Sequence, residues 1–124
     1  MGKPNDLIKL ARADLSASEI LLAANGGELL ENLAAYHSQQ ATEKICKGLI
    51  TRTGHAAGQR HDIGSLLDDM TAYKIPYPDW VDEQAYEISR WATNVRYDVK
   101  IDVDHDVIQQ TNDRLEVWLG SIFR

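Results

Sequence analysis

An all-α fold, an antiparallel bundle of four to five helices, follows from three features of this 124-residue sequence. Apolar residues recur at steps of three and four along most of the chain, which is the period of one face of a helix. The breaks between periodic stretches fall at helix-stopping letters: "NGG" at 25–27, Gly54, and "KIPYPDW" at 74–80. No stretch requires a strand, and no repeat, low-complexity tract or linker divides the chain, so residues 1–124 are expected to form one domain.

The first helix is expected to start after Asn5 or Asp6, either of which can cap it, and to bury Leu7, Ile8, Ala11, Leu15, Ser18 and Leu22. The second spans about 28–53 and stops at Gly54. Leu30, Leu33, Ala34, Ala41, Ile45 and Gly48 share one of its faces, while Ala35, Cys46, Leu49 and Ile50 lie on another. A helix with two apolar faces is central. The third, Asp62 to about Tyr73, buries Ile63, Leu66, Leu67 and Met70. Pro76 and Pro78 interrupt the pattern, and Asp79 caps a fourth helix that buries Val81, Ala85, Ile88, Trp91, Ala92 and Val95. "VRYDVKIDVDHD" at 95–106 is too polar and alternating to continue it. A fifth helix resumes near Asp104 with Ile108, Thr111, Leu115, Trp118 and Ile122 inward. Leu119 and Phe123 carry its apolar surface round the side, more than one small bundle covers, which predicts a homodimer of C2 symmetry.

Composition narrows the function. A hydrophobic fraction of 44% with 26% charged residues is that of a globular protein. No apolar run approaches the roughly 20 residues that span a bilayer, and "MGKPNDLIKLARADL" lacks the apolar core of a secretory signal, so no membrane association and a cytoplasmic location are expected. Asp6 stands where N-myristoylation wants Ser or Thr. The lone Cys46 can form no internal disulfide, which suits a reducing compartment. A net charge of −6 argues against coating nucleic acid, whose binding draws on phosphate neutralisation. The charge is unevenly spread, however. From Lys44 to His61 the chain carries Lys44, Lys47, His55, Arg52, Arg60 and His61 and no acid, whereas Asp98, Asp102, Asp104 and Asp106 dominate the stretch after Val95. A local basic patch suits a confined anion such as phosphate better than a duplex, although a basic helix end also answers its own dipole.

"HDIG" at 61–64 has the letters of the metal-dependent HD phosphohydrolases. In those enzymes the pair sits inside a helix, but here it follows the polar stretch "AAGQR", which puts Asp62 at a helix start where a carboxylate accepts free backbone N–H groups. His37, His55, Asp98 and the "DVDHD" acids could add ligands, yet none shows a diagnostic spacing, so neither metal nor cofactor is expected. His37 falls within the first apolar stripe of the second helix. It is either a satisfied structural histidine or, with Gln40 and Lys44, lines a groove for a polar ligand or partner. Arg96 and Tyr97 follow the last apolar residue of the fourth helix; Arg offers a donor fork for phosphate, Tyr a ring for stacking, and Asp98 can orient the Arg.

The stretch "AAYHSQQATEKICKGLITRTG", then "HDIGSLL", then "RYD" resembles the HEPN domain family, and the opening "ARADLSASEILLAA" is similar to its first helix. The resemblance implies a bundle of four or five helices, paired as a homodimer, with a function around nucleotides or RNA. Some members partner a minimal nucleotidyltransferase; others are ribonucleases of toxin–antitoxin or defence systems. The ribonuclease branch carries an Arg and a His separated by four to six residues. Here eight residues separate Arg96 from His105, and no other Arg does better, which departs from that pattern. Metal-free RNA cleavage also needs a base near the 2′-hydroxyl and a cation on the phosphate. The expected function is therefore a non-catalytic binding module for a nucleotide-like ligand, RNA or a nucleotidyltransferase partner. Arg96, Tyr97, Asp98, His37, Gln40, Lys44 and His61 are its candidate binding residues. A ribonuclease with a composite dimer site is the alternative, and a metal phosphohydrolase stands behind it.

Overall fold

In the computed structural model, residues 4–59, 62–97 and 103–122 are described, with side chains for 5–59, 62–92 and 103–122. Five helices form: α1 (Pro4–Ala23), α2 (Glu28–Arg52), α3 (Ile63–Ala72), α4 (Asp79–Tyr97) and α5 (His105–Ile122), with no strand among the described residues. The fold is the expected all-α bundle. Local chemistry sets the ends. Gly54 takes φ +88°, a conformation side chains resist, and its N–H closes the last turn of α2 on the Thr51 carbonyl at 3.0 Å. The Asp62 carboxylate caps α3, accepting from the Ser65 N–H at 3.0 Å. Asp104 does the same for α5 through the Asp106 N–H at 2.9 Å. Asp79 is the first helical residue of α4 rather than its cap; the carbonyl of Pro78 takes the Val81 N–H instead. The helix then runs on through Arg96 and Tyr97, beyond where the sequence pattern fades.

Side-chain bonds fix the directions. Ser18 meets Ser38, and Asp14 meets both His37 and the more C-terminal Lys44, so α1 is antiparallel to α2. Glu31 meets His105 and Ser38 meets Asn112, so α5 is parallel to α2. Trp80 lies against Trp118 and Gln84 bonds Thr111, which makes α4 antiparallel to α5. The short α3 runs antiparallel to α4, tied by Ser89 to Ile63 at one end and Tyr77 to Thr71 at the other. Gly48 lets α1 and α2 approach closely: a Cβ there would stand 2.7 Å from Ile8 Cδ1.

The core is largely the expected one, from Ile8, Ala11, Leu15 and Leu22 through Ile45, Leu66, Met70, Ile88 and Trp91 to Ile108 and Leu115. The first stripe of α2 is the exception. Leu33 is exposed and Leu30 only half-buried, while Asn32, Ser38, Gln39, Thr42 and Glu43 are buried. Polar residues go inside where partners meet them: Ser38 finds its own on α1 and α5, while Gln39, Thr42 and Glu43 bond along α2 itself. Ser18, Ser38 and Asn112 close a ring of hydrogen bonds at 2.6–2.8 Å, one residue each from α1, α2 and α5. Leu119 is fully buried within the bundle rather than part of an apolar side surface, Val117 on α5 is 75% exposed, and Phe123 lies outside the described residues.

Candidate functional site

Asp14 organises the seam between α1 and α2. One carboxylate oxygen takes the Nδ1 of His37 at 3.0 Å, and the other is bonded to the Nζ of Lys44. His37 and Lys44 are seven residues apart, two turns on one side of α2, and Asp14 lies between them. His37 is thus a half-buried histidine with a structural partner, its ring also meeting the Tyr36 ring edge-on at 5.5 Å. Gln40 turns the other way and donates to Gln39 at 2.7 Å. Gln39 in turn donates to Glu43 at 3.0 Å, and the second oxygen of Glu43 takes Lys47 at 3.0 Å.

Both chains of bonds end at one cavity of about 420 Å³, lined by Glu43, Lys44, Lys47, Thr51, His55 and the loop 56–59. Its depth comes from that loop, which doubles back along the last turns of α2 after Gly54. The His55 ring is held by stacking on Tyr73 (3.7 Å between centroids, 12° between planes) and by Nδ1 to the Thr53 hydroxyl at 3.0 Å. Two ammoniums and one carboxylate line the cavity: Lys44, Lys47 and Glu43, the last only 5% exposed, while Asp14, the partner of Lys44, is not among its lining residues. Each ammonium has three donors and gives one to its carboxylate, so donors remain for an anion.

Of the candidate binding residues, the structure brings together His37 and Lys44, with Gln40 beside them on α2. The α4 backbone reaches Arg96 and Tyr97, but their side chains, and Asp98 and His61 entirely, lie outside the described residues. That end of α4 is remote from the cavity. Gln84 and Ser38 are level with each other through Thr111 and Asn112, so helical rise puts Arg96 and Lys47 roughly 30 Å apart along the bundle. Lys44 and Lys47 therefore lie toward the opposite end of the bundle from the end of α4. Asp62 is committed to its helix: its carboxyl is held below the ordinary value by the Ser65 hydroxyl, with the Ser65 N–H adding to it. Among the described residues no three His, Cys, Asp or Glu side chains converge as a metal site would require.

Three participants escaped the sequence reading. The Glu43–Lys47 pair had a signal, an acid four residues before a base on a helix. Asp14 had none, because its partners are 23 and 30 residues away on another helix. Nor had Glu31, whose carboxylate meets Nδ1 of His105 at 2.8 Å across the bundle.

The HEPN domain model matches residues 4–117. No curated protein matches the chain. The crystal structure of TT1696 from Thermus thermophilus shares the fold, with a TM-score of 0.76 and 23% identity over 97% of this chain and 95% of that one. A family match over residues 4–117, on a bundle of five helices, means that the chain belongs to the HEPN domain family.

Proposed function

We propose that this chain is a non-catalytic binding module that holds a nucleotide-like ligand, with the phosphate seated between Lys44 and Lys47 and the remainder against His55. One observation carries it: two lysines, each fixed by a carboxylate, line a cavity of about 420 Å³ together with His55, and the one of those carboxylates that reaches the lining, Glu43, is only 5% exposed. The volume is in the range of small-molecule sites, roughly 300–1,000 Å³. Pre-fixed lysines lose less side-chain freedom when an anion arrives, which favours affinity. The same surface would serve a nucleotidyltransferase partner, whose own bound nucleotide it would contact.

Calorimetric titration with mononucleotides, dinucleotides and short RNA tests this. Lys47→Gln keeps a donor for Glu43 but removes the charge, and should weaken binding at least about tenfold, the effect of losing one charge-assisted hydrogen bond. Arg96→Ala is the companion variant for the far end of the bundle. If Arg96→Ala abolishes binding and Lys47→Gln does not, the ligand sits at the end of α4. If wild type binds none of these ligands, the nucleotide proposal fails.

A ribonuclease is the second reading, favoured by the His105–Glu31 pair. A carboxylate on Nδ1 orients the ring and leaves Nε2 to exchange a proton, and α4 with Arg96 ends on the same side of the bundle. RNA cleavage by wild type that His105→Ala abolishes would establish it.

A further inference from the structure

A second cavity, of about 430 Å³, lies between the start of α4 and the second half of α5 and shares no lining residue with the Lys44–Lys47 cavity. Pro78, Trp80, Val117 and Trp118 form its apolar walls, bordered by Asp113 and Arg114. The two indoles are nearly perpendicular, 86° between planes with centroids 6.1 Å apart, so together they make a corner. Trp118 is the buried side of that corner at 5% exposure, whereas Val117 stands 75% exposed.

Arg114 is half-buried in this apolar setting without a counter-ion. Its Nη1 donates to the side-chain oxygen of Gln84 at 2.7 Å, and Gln84 is fixed in turn by donating to the Thr111 hydroxyl at 3.1 Å. Its guanidinium carbon lies 5.9 Å from the centroid of the Trp80 ring. Both partners are neutral, and among the described residues no carboxylate pairs with it. Asp113, its neighbour in the chain, is exposed and accepts from Gln109 at 3.2 Å instead. Arg12, Arg90, Lys44 and Lys47, by contrast, each sit against an acid.

We infer that this groove binds a small aromatic carboxylate, its ring in the corner of Trp80 and Trp118 and its acid group on Arg114. Aromatic rings attract one another stacked or edge to face, and a planar ring laid on one of two perpendicular indoles meets the other in the second way. A guanidinium carries five N–H donors in a planar fork, so the one given to Gln84 leaves a pair for the two oxygens of a carboxylate. Phosphate alone would leave the indoles uncovered, and a neutral ring would leave the guanidinium unpaired. The volume falls at the lower end of small-molecule sites, roughly 300–1,000 Å³, which suits one ring system with a short acid arm. This site does not depend on the ligand proposed for the other cavity.

Indoleacetate, titrated to about 10 mM and followed by nuclear magnetic resonance on the tryptophan side-chain N–H signals, tests it, since a ligand of this size reaches dissociation constants of about 1 mM. The signals of Trp80 and Trp118 should shift to saturation. That of Trp91, 1% exposed with its N–H on Glu87 at 3.3 Å, should stay in place. Indoleacetamide, the same ring without the charge, should bind at least about tenfold more weakly, the effect of losing one charge-assisted hydrogen bond. Arg114→Met should weaken the acid by as much. Because that change also removes the bond to Gln84, Val117→Glu is the companion: it sets a competing carboxylate three residues from Arg114 at an exposed position, and should weaken the acid at least about tenfold with an unchanged melting temperature. Unmoved Trp80 and Trp118 signals at the top of the titration overturn the inference. So does equal binding of acid and amide, or indifference to both variants, either of which removes Arg114 from the site.

Discussion

Glu19 of α1 sits where α1 meets α5, facing Glu116 and Asp113, with Arg12 as the nearby cation. Burial, then a hydrogen bond and repulsion from Glu116, push its carboxyl up from 4.5 to about 7; Arg12, itself 3.2 Å from Glu116, only partly opposes this. Below pH 4.5 the folded and unfolded chains both hold the proton, and the site contributes its full stability. Between pH 4.5 and 7 the folded chain keeps a proton that the unfolded chain has lost, so stability falls as pH rises, and above pH 7 the loss is complete. At about 1.36 kcal/mol per pH unit the ceiling is about 3 kcal/mol. Glu19 is only half-buried, so water and salt screen much of that, leaving about 1 kcal/mol. Glu19→Gln keeps the hydrogen bond to Glu116 and cannot ionise. It should therefore match wild type near pH 5 and exceed it by about 1 kcal/mol at about pH 8, which for a chain of this length is about 4 °C in melting temperature. Thermal unfolding of both proteins from about pH 5 to 8 at low salt measures the difference, and added salt should narrow it. A gap that does not change with pH, or a variant less stable than wild type at the alkaline end, refutes the reasoning.

Three further outcomes follow from the packing. Ser38→Ala opens the hydrogen-bonded ring, strands the Asn112 oxygen in the interior and leaves the Ser18 hydroxyl only the Asn112 amide, at about 1–3 kcal/mol, which urea unfolding would detect; a change under about 0.5 kcal/mol would mean the ring contributes little. Gly48→Val forces α1 off α2 at Ile8 and should destabilise by about 1–3 kcal/mol, and equal stability would show that the close approach is not maintained in solution. Asp62→Ala should lose about 1 kcal/mol of capping, with chelator leaving the wild-type melting temperature unchanged; a drop of several degrees on chelation would return His61 and Asp62 to a metal role.

Much of the bundle was legible in the letters, because helix periodicity and its punctuation are local. The inward residues of α3 could be read to the last one, since Ile63, Leu66, Leu67 and Met70 are simply the apolar side of a short amphipathic helix. Asp62 was legible as a cap for the same reason: the groups it bonds lie within three residues. What the letters could not convey is which polar residues find partners across helices. Leu33 looked inward and is exposed, while Ser38, Gln39 and Glu43 looked outward and are buried. A buried hydroxyl, amide or carboxylate is tolerable only when another group satisfies it, and those groups arrive from α1, from α5 or from elsewhere on α2 once the helices have docked. The candidate site divides in the same way. Sequence by itself determined the helices, the acid-free basic stretch from Lys44 to His61 and the spacing of Lys44 from His37. Tertiary structure alone decided that Asp14 joins those two residues, that Lys44, Lys47 and His55 line one cavity, and that α4 ends toward the other end of the bundle, because each depends on which helix lies beside which and in what direction.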